Sequence, residues 1–128
     1  MSSYLLDTHT AIWFFNGDKA LSETAKAIIL DVSNRKYLSI VSFWELTIKI
    51  SMGKLEFNDW TAGFEHLTII NGFSIIPIQI PHLTILDSLP WIHRDPFDRL
   101  LIATALAEQM TLITDDSNII RYDVLHIW

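Results

Sequence analysis

The sequence predicts an α/β sandwich built on a mainly parallel sheet. Two observations carry this. Short apolar runs of strand length alternate almost throughout with longer stretches at helical spacing. No internal repeat, low-complexity tract or linker interrupts the alternation, so residues 1–128 are expected to form one domain, long enough to close a real core.

Taken in order, SYLLDT is a short apolar run ending on Asp7, a buried first strand. THTAIWFFN follows as a helix that stops near the turn signal Asn16-Gly17. Ser22 opens a second helix, SETAKAIILDVSN, with Leu21, Ala25, Ile28 and Ile29 at helical spacing. YLSIV is β-branched and bounded, a strand, and Ser42 begins the helix SFWELTIKISMG, which ends at Gly53. Residues 59–70, DWTAGFEHLTII, form a helix despite Gly63 within it, FSIIPI is a strand, and Pro81 opens a short helix, PHLTILDSL. In DPFDRLLIATALAEQM, proline sits at the first helical position, where its missing N–H costs nothing, so Asp95 becomes the N-cap. TLIT is a buried strand, DDSNIIRYD a turn or short helix, and VLHIW the last strand.

Composition narrows the function classes. Half the residues are hydrophobic and 19% are charged, which excludes a disordered chain. No apolar stretch reaches the length of a membrane span, and the N-terminus lacks the basic segment of a signal peptide. The absence of cysteine removes a disulfide framework, a thiol nucleophile and a zinc ribbon, and a cytoplasmic location is expected. The net charge of −6 means that any nucleic-acid contact must be local, through a few Arg and Lys side chains or a bound cation. Lys19, Lys26, Lys36, Lys49 and Lys54 all lie in the first half, and no lysine follows.

Carboxylates are the chemistry-bearing feature. Ligands of open parallel sheets bind beyond the carboxyl ends of the strands. Asp7 follows the first strand, Asp115 and Asp116 follow TLIT, Glu45 lies one turn into the helix after YLSIV, and Asp98 lies in the first turn of its helix. Four carboxylates brought to one edge repel one another unless a cation compensates, and a hard divalent ion such as Mg²⁺ or Mn²⁺ takes oxygen ligands. Such an ion can activate water and neutralise charge on a phosphodiester. Each acid also has a plain structural explanation. Asp7 can cap a helix, Ser42-Phe43-Trp44-Glu45 matches a capping box with Lys49 placed for an i,i+4 pair, Asp115 and Asp116 suit a turn, and Asp98 suits a helix N-terminus. The force of the metal reading lies in the combination. His9, His66, His82, His93 and His126 lack the spacing of a helical metal site, although His9 and His93 fall near the acids; no glycine-rich phosphate loop or nucleophile elbow exists. Trp13, Phe14, Phe15, Trp44, Trp60 and Phe64 exceed what a small core hides, which points to a protein interface.

LLDTHTAIWFFNGDKALS, SIVSFWELTIKISMGKL, the stretch from FSIIPI to LP, HRDPFDRLLIATAL and TLITDD resemble, nearly end to end, the PIN-domain family, and within it the VapC-type ribonuclease toxins of type II toxin–antitoxin systems. HRDPFDRLLIA is the most specific of these motifs. The resemblance implies a three-layer α/β/α sandwich and a Mg²⁺- or Mn²⁺-dependent endoribonuclease. It puts the four site acids on Asp7, Glu45, Asp98 rather than Asp95, and Asp116, with Thr114 as the accompanying hydroxyl and Asp115 in a variable position. Thr104 stands where relatives often carry Gln. A small antitoxin that covers the acidic pocket and binds operator DNA is the implied partner, and homodimers are common in the family. Arg99, Arg94 and Lys49 are the candidates for RNA phosphate contacts.

Two other functions compete. A receiver-like domain phosphorylated on aspartate also uses an acidic Mg²⁺ site at strand ends. It needs an acidic pair after the first strand and a lysine after a late one, whereas here the pair is late and no late lysine exists. A catalytically idle PIN-like fold kept as a binding module is the third reading, and the presence of all four acids argues against it.

Overall fold

The computed structural model describes residues 2–55 and 60–128. Five strands, β1 (Ser3–Leu6), β2 (Arg35–Ser39), β3 (Ser74–Ile76), β4 (Thr111–Ile113) and β5 (His126–Ile127), form one sheet in the order β3-β2-β1-β4-β5. Every pairing is parallel, with Leu5 opposite Tyr37 on one side and Leu112 on the other. The chain builds outward from β1 to β3, then crosses back to lay β4 on the free side of β1. That reversal makes a topological switch point between β1 and β4, the place at the carboxyl ends of the strands where open α/β sheets bind ligands.

Strand alternation sorts the core into two layers. Leu5 and Leu112 face one side, packed with Leu100, Leu101, Ile102 and Ala105 of α6 (Pro96–Glu108) and, at its edge, Leu86 of α5 (Ile80–Ser88). Their neighbours Leu6 and Ile113 face the other side, against α1 (Thr8–Asn16), α2 (Glu23–Leu30), α3 (Ile40–Ser51) and α4 (Trp60–Ile70). The result is the expected α/β/α sandwich. Among the aromatics, Phe15 packs edge-on against Phe64 and Phe73, while Trp44 stays 52% exposed. No helix among the described residues is long and apolar enough to cross a membrane.

Caps behave as the sequence predicts at three helices. Asp7, Ser22 and Asp95 each accept backbone N–H bonds at the start of α1, α2 and α6, and Gly17 closes α1 in the left-handed conformation. Two expectations need correction. β2 ends at Ser39, not Val41, because the Ser39 hydroxyl accepts the Val41 N–H at 3.0 Å and starts α3 there. Ile40 and Val41 are helical despite their β-branched side chains, since burial of Val41 against Leu5 outweighs a propensity difference of a few tenths of a kcal/mol. The second helix stops at Leu30 rather than running to Asn34, because the Asp31 carboxylate captures the Ser33 N–H and hydroxyl in a turn. The predicted helix start at Asp59 lies outside the described residues.

Candidate carboxylate site at the switch point

Asp7 follows the last residue of β1, and its side chain does two things at once. Oδ1 accepts the Thr10 N–H at 2.7 Å, which caps α1, and Oδ2 accepts the Thr114 hydroxyl from the end of β4. Thr114 Oγ in turn accepts the Asp116 N–H at 3.0 Å, so one hydroxyl ties the two acid-bearing strand ends together. Asp116 Oδ1 also takes the Asn118 and Ile119 N–H groups of the following turn. The cap and turn roles weighed for these acids are therefore real, and they orient the carboxylates without excluding chemistry. Asp115 is exposed beside them.

Glu45 is the sixth residue of α3, not a capping residue. The capping-box explanation fails: Ser39 is the cap, and Ser42, which a capping box would require outside the helix, is buried within its first turn. Glu45 Oε1 instead accepts the Thr8 hydroxyl at 2.8 Å, Thr8 shares a 2.9 Å bond with Ser42, and Oε2 pairs with Lys49 Nζ at 2.8 Å. Thr8 and Ser42 were missed as site residues from the sequence. Their signal was adjacency: Thr8 directly follows Asp7, and Ser42 stands one turn before Glu45.

Asp98 is the most perturbed of the set. Its carboxyl is pushed up to about 8, first by burial and then by the negative charges of Asp95, Asp116, Glu45 and Asp7. Burial also raises Asp7, against the opposing hydrogen bonds from Thr10 and Thr114. Asp98 thus lies in the field of Asp7, Glu45 and Asp116, together with Asp95, whose Oδ1 accepts the Phe97 and Asp98 N–H groups as the cap of α6. Among the described residues, no three carboxylate or imidazole side chains stand close enough to share one ion as they are placed. The acids are electrostatic neighbours rather than a closed cage. Carboxylate oxygens are the ligands a hard divalent cation takes, and Asp7, Glu45, Asp98 and Asp116 are the residues that would hold one.

The cations fall otherwise than expected. Arg99, a candidate for phosphate contact, is 2% exposed and turned into the fold. Its guanidinium donates to the carbonyls of Pro90 at 2.6 Å and Leu89 at 3.2 Å and to the Tyr122 hydroxyl at 3.1 Å, with Trp91 stacked 3.8 Å from it. It clamps the loop before α6, which its planar five-donor fork suits. Lys49 is held by Glu45. Arg94 is exposed and lines, with Leu83, Leu86, Asp87, Trp91, Pro96 and Arg99, a cleft of about 380 Å³ that includes none of the four acids. His93 and Tyr122 join the site as well: His93 Nε2 lies 3.4 Å from Asp98 Oδ2, and its Nδ1 lies 2.7 Å from the Tyr122 hydroxyl. Nothing in the sequence singled out Tyr122.

The model of the PIN domain matches residues 4–125. The chain belongs to the PIN-domain family. Solved structures share its fold over nearly the whole length of this PIN domain. The VapBC2 complex of Rickettsia felis, bound to a DNA fragment from its promoter, contains a chain that is 15% identical with a TM-score of 0.72, covering 98% of this chain and 97% of that one. VapBC-1 of nontypeable Haemophilus influenzae gives 19% identity and a TM-score of 0.69, covering 98% and 96%. FitAcB of Neisseria gonorrhoeae gives 21% and 0.66, again covering 98% and 96%. No curated protein matches the sequence significantly.

Proposed function

We propose that this PIN domain is a metal-dependent endoribonuclease, the toxin of a toxin–antitoxin pair of the VapC type. The observation that carries the reading is the gathering of Asp7, Glu45 and Asp116 around Asp98, whose carboxyl burial first, and then the charges of Asp95 and of these three acids, push up to about 8. A bound Mg²⁺ or Mn²⁺ supplies an activated water and charge neutralisation at a phosphodiester. The chain's own residues do the rest. Thr114 and Thr10 hold Asp7, Thr8 and Lys49 hold Glu45, and the Asn118 and Ile119 amides hold Asp116. These three acids are thereby kept in place by donors that leave part of their oxygen capacity for an ion. Arg94, exposed next to His93, is the remaining candidate for a backbone phosphate.

The structural relatives are VapBC and FitAB-type complexes, and this supports a protein antitoxin as the partner of this chain. Half-exposed Trp44, which packs edge-on at 4.9 Å against Phe97, offers an apolar contact next to Glu45 and Asp98 for such a partner or for a second copy of the chain. The phospho-acceptor reading loses its support with PIN-family membership. The test is cleavage of a defined RNA by purified protein with Mn²⁺, with Mg²⁺ and with chelator. Cleavage that needs the ion and disappears in Asp7→Asn is expected. Wild-type rates in Asp7→Asn, or binding of an antitoxin without any cleavage, overturn the nuclease assignment in favour of a binding module.

A further inference from the structure

Asp98 has the fewest described partners of the four acids: its partly buried carboxylate has one, the His93 imidazole, 3.4 Å from Oδ2. What that imidazole presents is decided one step further away. The Tyr122 oxygen receives the His93 backbone N–H at 3.1 Å and the Arg99 Nη1–H at 3.1 Å. A phenol oxygen accepts two such bonds and donates one. With both acceptor positions filled, the hydroxyl proton must point outward, and the nearest acceptor is His93 Nδ1 at 2.7 Å, against 3.4 Å for the His93 carbonyl. Nδ1 is then an acceptor, so in the neutral ring the proton sits on Nε2. The ring faces Asp98 with an N–H.

We infer that Tyr122, loaded by Arg99, locks His93 into the Nε2–H tautomer, and that His93 is a positioning residue which occupies Asp98 Oδ2 and turns Oδ1 toward a bound divalent cation. The metal half rests on the function proposed above; the tautomer does not. Arg99 gains a purpose by the same route. Its buried guanidinium, fixed by the Leu89 and Pro90 carbonyls, anchors the far end of a relay that runs through Tyr122 and His93 to its own sequence neighbour, Asp98. Histidines that orient metal-bound carboxylates act by this logic, and their loss commonly weakens metal binding by about 10- to 100-fold.

Two measurements test it. Imidazole ¹⁵N spectra of the wild-type protein without metal are expected to show His93 as the Nε2–H tautomer, and Tyr122→Phe is expected to release it to a mixture. Any other dominant wild-type form overturns the relay. Mn²⁺ titration, read by electron paramagnetic resonance, is expected to give affinity roughly 10- to 100-fold weaker in His93→Ala, with most of it recovered in His93→Gln, whose amide keeps an N–H near Asp98. Thermal unfolding of the metal-free variants separates positioning from folding. If wild type binds Mn²⁺ and both variants match it, the positioning role is wrong while the nuclease reading stands. If wild type binds no Mn²⁺, the nuclease reading falls with the metal half, and the ¹⁵N spectra still decide the tautomer.

Discussion

Two buried ionic centres lie in different parts of the fold, and they are treated differently. Near the beginning of β2, Lys36 is 8% exposed, yet it has no carboxylate partner among the described residues. Its ammonium donates to the Ile29 carbonyl in the last turn of α2 at 2.7 Å and to the Asn71 carbonyl just past α4 at 3.4 Å, with the Phe73 ring 5.4 Å away. Two helix C-termini present partial negative charge to one cation, and the centre is complete. Beyond the carboxyl ends of β1 and β4, carboxylates are gathered with far less compensation, and burial first, then their repulsion, raises Asp98. A protein that could satisfy a buried lysine with its own backbone left its acids in deficit. That asymmetry supports the proposed metal reading of the acidic end.

The largest expected effect tests the acidic side. Asp98→Ala should lower metal-dependent RNA cleavage on the order of 100-fold or more, because several kcal/mol of transition-state stabilisation depend on the ion. Circular dichroism should show the fold intact. A variant that cleaves normally removes Asp98 from the chemistry and erases the contrast. Lys36→Met should do the reverse: it keeps the apolar stem but strips the Ile29 and Asn71 carbonyls of a donor, costing about 1–3 kcal/mol in denaturant unfolding. Its cleavage rate per folded molecule should match wild type, and a large catalytic loss would couple the two centres.

Titration sharpens the comparison further. An Asp98 carboxyl raised to about 8 in the folded protein, against an ordinary value near 3.9 when unfolded, stabilises the metal-free fold fully only below the unfolded value. That contribution is lost as the pH rises from about 4 through about 8. Metal-free protein should therefore melt at lower temperature at pH 8 than at pH 5, and Asp98→Asn should flatten the slope. Mn²⁺ affinity should rise over the same interval, since binding displaces a proton. A melting profile whose slope is the same in Asp98→Asn would locate the titrating group elsewhere. The smallest effect belongs to Asp95→Ala, which should cost about 1 kcal/mol through the lost α6 cap. Cleavage should persist, because Asp95 is bonded to backbone amides and only adds its charge to Asp98. Loss of cleavage there with full stability would reverse the roles of the two aspartates in DPFDR.

Much of the molecule is legible in its sequence. Periodicity located the strands and helices; Ser22, Asp95 and Gly17 announced helix ends through local chemistry, and the acids stood at strand ends where parallel sheets bind ligands. The misreadings have one cause. Val41 reads as a strand residue until its burial against Leu5 is known, Arg99 reads as a surface cation until Leu89, Pro90 and Tyr122 close around it, and Glu45 reads as a capping residue until Ser39 takes that place.

By itself, then, the sequence determined most element types, the caps Asp7, Ser22 and Asp95, and where the acids stand along the chain, because these depend on interactions within a turn or two of helix or strand. Only the tertiary structure decided that β4 returns to the side of β1, so that Thr114 meets Asp7 across 107 positions of chain, and that Tyr122 reaches back 29 positions to His93. Contacts at such separations leave no periodic trace in the residues between them. They exist because the sheet order sets the ends of β1 and β4 side by side, and the polar groups that arrive there must find partners in one another.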